Sequence, residues 1–244
     1  MFVVTTARRL GAMIVFIATM SAAVILSGVF LRRSPYVRVT FSESRDRVLV
    51  IDAGHGGEDG GAVSPEGLIE SGINLDIAQR LDAISGFLGI HSAMTRNSES
   101  IEYPESARTV RARKAFDQKS RLEFINSFEN AVLMSIHQNK YPDSRVSGPQ
   151  VFFAAVSGSR GLAEIAQQRL ADSLCPENRR VAAPISTTIF LMRSADCPAI
   201  LVECAFLSNP REASLLNTPE YRQKIALALI SSYIEFTRTD ISGV

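Results

Sequence analysis

From residue 47 onward, short apolar runs alternate with longer segments in which apolar residues recur every three or four positions. The runs Arg47 to Asp52, Ile90 to Arg96, Ala131 to His137, Gln150 to Val156, Ile189 to Met192 and Ala199 to Glu203 are rich in apolar or β-branched residues and are predicted as strands. Between them, Leu75, Ala78, Leu81 and Ile84 share one helical face, as do Leu162, Ile165, Ala166 and Leu170, which is the spacing of helices packed on a sheet. Asn209-Pro210 and Thr218-Pro219 each set a capping side chain before a proline at the first helical position, so two closing helices are expected, the last reaching about Arg238. This alternation predicts an α/β fold, a mainly parallel mixed sheet flanked by helices. No internal repeat is visible.

The N-terminal region has a different pattern. Leu10 to Leu31 carries no charge, with Arg8 and Arg9 before it and Arg32 and Arg33 after it. A membrane helix needs about 20 apolar residues, whereas the apolar region of a cleavable signal peptide runs about 7 to 15. Residues 1–33 are therefore expected to form one uncleaved transmembrane signal anchor, with cleavage as the alternative. Residues 34–46, polar and without an apolar period, suit a tether to a domain over 47–239. The arginines after the span (Arg32, Arg33, Arg38, Arg45 and Arg47) outnumber those before it and by themselves favour a cytoplasmic C-terminal side. Large domains translocate despite flanking charge, so the chemistry of the domain decides its side.

With 244 residues, 46% apolar and 21% charged, the chain fits one α/β domain plus this appendage. A net charge of +1 and scattered basic residues give no electrostatic case for a nucleic-acid partner. Cys175, Cys197 and Cys204 are too few and too widely spaced for a disulfide framework or a cysteine zinc cluster.

The chemistry lies at the ends of the predicted strands. In open α/β sheets ligands sit beyond the carboxyl ends of the strands, and His55, His137 and Glu203 all fall at or just past such ends. Val48 to Gly57 delivers His55 on a glycine loop, and Ser135-Ile136-His137-Gln138-Asn139 supplies a second imidazole. Two imidazoles and one carboxylate make a catalytic zinc site with an open position. On spacing alone Glu58, Glu66 and Glu70 compete for the carboxylate. Glu203, ending the apolar strand Ala199 to Val202, suits a base that guides a proton and passes it to a leaving amine. Asp52 either orients His55 or closes its strand, and Asn139 either holds a substrate amide or bonds its own turn. His91, without a companion, reads as structural. Rival readings are weak: Asp59 stands where a dinucleotide fingerprint needs a glycine, no Gly-Lys-Ser/Thr follows for a phosphate loop, and a Cys204 nucleophile would need a histidine already claimed.

These elements together resemble the zinc-dependent N-acetylmuramoyl-L-alanine amidases of the bacterial cell wall, over nearly everything from Val48 to Arg238. The likeness is carried by Ile51-Asp52-Ala53-Gly54-His55-Gly56-Gly57 with Gly61-Ala62, Glu70 with Asn74-Leu75 and Ala78, Thr95-Arg96, Arg121 with Asn126, Ser135 to Asn139, and Val202 to Asn209. It implies zinc held by His55, Glu70 and His137, with Glu203 as the catalytic glutamate, which excludes Glu58 and Glu66. It implies the zinc amidase fold, peptidoglycan as substrate, and hydrolysis of the amide between N-acetylmuramic acid and L-alanine. Within the family the likeness is strongest to the spore-cortex, germination-specific subgroup, whose longer insert is matched by Val110 to Asn126. That subgroup implies a step toward muramic δ-lactam, performed outside the cytoplasmic membrane. The alternatives are a general wall-turnover amidase and a non-catalytic peptidoglycan-binding module of the same fold. Ser71, where a lysine often follows the ligand glutamate, and Cys204-Ala205, where a glycine usually precedes Phe206, depart from the family pattern. A Cys204 thiol facing the zinc would perturb metal preference.

Overall fold

A computed structural model describes residues 47–241 of the chain. The expected membrane helix and tether lie outside the described residues; among those described, no helix is long and apolar enough to cross a membrane.

Six strands form one sheet: β1 (Val48–Ala53), β2 (Ser92–Met94), β3 (Ala131–Asn139), β4 (Gln150–Phe153), β5 (Ala183–Pro184) and β6 (Ala199–Phe206), in the order β2-β1-β3-β6-β4-β5. β2, β1, β3 and β6 run parallel, and β4 pairs antiparallel with β6. The sheet is thus mainly parallel and mixed, as the alternation predicts. The helices are α1 (Glu70–Phe87), α2 (Val110–Asn126), α3 (Ser159–Leu174), α4 (Phe190–Ser194), α5 (Pro210–Leu216) and α6 (Pro219–Ile241). Both proline-led starts occur as expected: the Asn209 side chain accepts from Glu212 N at 3.1 Å, and Thr218 Oγ1 from Tyr221 N at 3.4 Å.

Period-two alternation sorts the central strands into two cores. Leu49, Ile51 and Ala53 of β1, Val132, Met134 and Ile136 of β3, and Ile200, Val202 and Cys204 of β6 pack with α1, α3 and α6. The intervening Val50, Ala131, Leu133, Ala199 and Leu201 pack against α2 and α4 through Ile125, Leu191 and Met192. Continuing the second alternation toward the strand ends puts Asp52, Ser135, His137 and Glu203 on the α2/α4 face. The register reinforces this, since Asp52 lies opposite Ser135 and His137 opposite Glu203.

One predicted strand is wrong. Ile189 to Met192 enters a one-turn helix, α4, instead of the sheet. A four-residue apolar run fits a buried helix turn as well as a strand, and here Leu191 and Met192 cap the second core. The edge strand around Ala93 is shorter than predicted, β3 and β6 are longer, and the two-residue β5 was not predicted.

Candidate metal centre

The first histidine sits in a backbone conformation that L-residues rarely adopt, with φ of 62°. Two buried arginines secure it. Arg121 of α2 donates to the carbonyls of Ala53 (2.7 Å) and His55 (2.6 Å), and Arg96 to those of Ala53 (2.9 Å) and Gly54 (3.1 Å). Arg121 is itself fixed by Asp52 at 2.8 Å and Asp117 at 3.0 Å. Asp52 therefore does more than close its strand, and it acts on His55 through Arg121, without touching the ring. Burial alone would raise the Asp52 carboxyl, but the Arg121 charge and the Ser135 and Thr95 hydroxyls outweigh it and hold it at about 2.

Glu70 arrives by a different device. It opens α1, whose first N–H groups find no capping side chain. Instead Glu70 N donates to Ala62 O at 2.9 Å and Ser71 N to Gly60 O at 3.1 Å, which ties the helix start to the glycine loop. The carboxylate then accepts from Ala62 N (2.8 Å), Gln138 N (3.0 Å) and Asn74 Nδ2 (3.2 Å). Its Oε1 lies 3.3 Å from His55 Nε2 and 3.0 Å from His137 Nδ1. Burial opposes its charge, yet the two imidazoles prevail and hold Glu70 far below the usual carboxylate range.

Donor atoms of His55, Glu70 and His137 thus lie within 4.8 Å of one another, a group able to hold a metal ion. The surroundings fit such an ion. A β-carbon at Gly54 would run into the His137 ring, and one at Gly61 would stand 2.5 Å from Glu70 Oε2, so glycine alone leaves the donors free to converge. Across the ladder from His137, Glu203 is half-buried. Its Oε2 is buried and finds no hydrogen-bond partner among the described residues. Burial, with Glu70 adding and the imidazoles opposing, pushes this carboxyl up to about 7.

His55 and His137 of the donor group line a cleft of about 670 Å³. Its floor is the strand ends with His137 and Glu203; one wall is α2, through Arg111, Lys114 and Gln118, and the other is the apolar segment around Ile189 to Met192. Residues 49–234 match the family model of N-acetylmuramoyl-L-alanine amidases. The chain belongs to this family. It is 34% identical to a germination-specific N-acetylmuramoyl-L-alanine amidase of Bacillus subtilis, over 78% of this chain and 79% of that one. The CwlD amidase from Clostridioides difficile, solved in complex with the GerS lipoprotein, has a TM-score of 0.75 at 31% identity, covering 79% of this chain and 98% of its own. An N-acetylmuramoyl-L-alanine amidase from Clostridium difficile 630 gives 0.67 at 25% identity, over 78% and 96%. This chain is accordingly a peptidoglycan amidase, with the mixed α/β fold of that family.

In the amidase, the other candidates resolve as follows. Glu58 points outward to Arg113 of α2, and Glu66 takes no part in the donor group. Asn139 accepts from the next N–H, Lys140 N, at 2.8 Å, which is turn bonding. His91 is exposed at the far end of β2. Cys204 is fully buried on the opposite face of β6 from Glu203, its thiol pushed well up by burial. It does not face the donor group, so the condition for perturbing metal preference is not met, and the weak nucleophile reading gains nothing: adjacent strand residues face opposite ways. Sequence reasoning missed Asp59, 3.0 Å from His55 Nδ1. The signal was available in the two glycines that fold the chain back between them.

Proposed function

We propose that this amidase is a zinc enzyme that cleaves the bond between the lactyl group of N-acetylmuramic acid and L-alanine of the stem peptide. His55, Glu70 and His137 would hold the ion, and Glu203 is the catalytic residue. The observation that carries this reading is the Glu203 Oε2, without a hydrogen-bond partner among the described residues, on a cleft floor shared with His55 and His137. Zinc, when bound by such a set, supplies Lewis acidity that polarises a carbonyl and makes water acidic near neutral pH. Glu203 takes a proton from the attacking water and later delivers it to the departing alanine amine. Gln138 and Asn74 do not move protons; they hold Glu70 in place through its Oε1. The apolar segment around Leu191 faces α2 across the cleft and offers a surface for the uncharged parts of the substrate.

The further proposals are those the sequence suggests. The similarity to a germination-specific amidase supports a role in spore cortex, as a step toward muramic δ-lactam. A membrane anchor over residues 1–33 would hold the domain outside the cytoplasmic membrane, where peptidoglycan lies. A non-catalytic binding module would be expected to lose a metal donor or the base, and this chain keeps residues for all four roles.

Glu203→Ala is expected to retain zinc and lose turnover of purified peptidoglycan, while Glu70→Ala loses both. Release of new L-alanine amino termini, with zinc content measured alongside, reads both outcomes. Full activity in Glu203→Ala, or stoichiometric zinc in Glu70→Ala, would contradict the assignment. For the cortex role, fragments from spores lacking the protein should contain no muramic lactam; an unchanged cortex would assign the enzyme to general wall turnover.

A further inference from the structure

The turn that leaves His55 brings Asp59 back to the same imidazole. Gly56 N donates to Asp59 O at 2.8 Å and Asp59 N to Gly56 O at 3.0 Å, so four residues close on themselves. Gly56 and Gly57, with φ of 128° and 59°, supply the backbone angles this closure needs. Asp59 Oδ2 then faces His55 Nδ1 at 3.0 Å, while His55 Nε2 faces Glu70. From the other side, Lys114 Nζ of α2 approaches the same Oδ2 at 2.7 Å. Lys114 also lines the cleft.

A carboxylate only accepts hydrogen bonds, so Asp59 places the ring proton on Nδ1 and leaves the Nε2 lone pair directed at the donor group. We infer that Asp59 and Lys114 are positioning residues for the metal: Asp59 fixes the tautomer and orientation of His55, and Lys114 holds Asp59 in place. The inference rests on His55 being a zinc ligand. Two further ties from α2 serve the same loop, Arg113 to Glu58 and Arg121 to the His55 carbonyl. The loop from His55 to Asp59 is therefore gripped by one helix at three points. A surface ion pair without this task would have little effect on stability and none on metal affinity.

The test uses the purified full-length chain and reads zinc affinity by competition with a chromophoric chelator, together with the visible spectrum of the cobalt(II)-substituted protein. Asp59→Ala is expected to bind zinc about 10- to 100-fold more weakly, the range typical of partners behind a metal ligand. Its cobalt spectrum should shift, because His55 no longer has an assigned tautomer. Asp59→Asn, whose amide oxygen still accepts from Nδ1, should fall between Asp59→Ala and the native protein, and it carries the test should Asp59→Ala fail to fold. Lys114→Met should weaken binding less, and Lys114→Arg should restore it. Native zinc affinity and an unshifted cobalt spectrum in both Asp59 variants would overturn the inference while leaving His55 as a ligand. Native affinity in His55→Ala would overturn the ligand reading itself, and the inference with it.

Discussion

Asp52 shows how one residue can link stability to the site. It is buried, with 2% of its surface exposed, and its carboxylate is met by Arg121, Ser135 and Thr95 at 2.6 to 2.8 Å. Its pKa falls from 3.8 to about 2 on folding. A group depressed in this way adds stability above its unfolded value, and loses it as the pH falls through the folded value; a depression of this size is worth about 2 kcal/mol. The difference in unfolding free energy between the native protein and Asp52→Asn should therefore be full at pH 6 and shrink between pH 4 and pH 2. Urea denaturation at a series of pH values reads it, and a difference that does not vary with pH would contradict this account. Gly54 is the other decisive residue. Since a β-carbon there meets the His137 ring, Gly54→Ala should displace that imidazole and abolish zinc binding, which metal analysis of the purified variant would reveal.

Among the elements, α2 is the one whose importance the sequence concealed. Val110 to Asn126 reads as a charged, solvated stretch by itself, and only Arg121 and Ile125 of the helix are buried. Yet Arg121 bridges α2 to β1 and to the His55 loop. Removing its side chain would strand Asp52 and Asp117 without their partner, and loss of one member of a buried pair costs about 3 to 5 kcal/mol. Arg121→Met should lower the unfolding free energy by that order; a loss well under 1 kcal/mol in urea titrations would show that water replaces it. The strands β1, β3 and β6 were legible because their apolar runs are long and end in distinctive residues. α4 was not, because Leu191 and Met192 satisfy a helix turn and a strand equally. Nor could β5 be read, since its two residues are set by pairing with β4 and not by their own pattern.

For the whole molecule, simple alternation carries the argument furthest. The same period that buries Leu133 and Leu201 beneath α2 and α4 presents His137 and Glu203 to the cleft, while Cys204 goes to the other core. His55 and His137 were thus legible from their strand ends, whereas Glu70, at the start of a helix, was separated from Glu58 and Glu66 only by the family resemblance. The contacts that hold them were less so: Arg96, Arg121 and Asp59 act through backbone carbonyls and loop closures that no linear spacing encodes. Beyond the folded domain, residues 1–33 are proposed as an anchor, so the full chain should sediment with membranes and residues 47–244 alone should remain in the supernatant. The central claim, however, is that one divalent ion is held between the glycine loop, the start of α1 and the end of β3. Anomalous diffraction at the zinc edge, from crystals of the zinc-loaded protein, tests it most directly. One peak is expected at about 2.0 to 2.2 Å from His55, Glu70 and His137, with Glu203 nearby and unbound; a peak elsewhere, or those side chains turned from the ion, would contradict it.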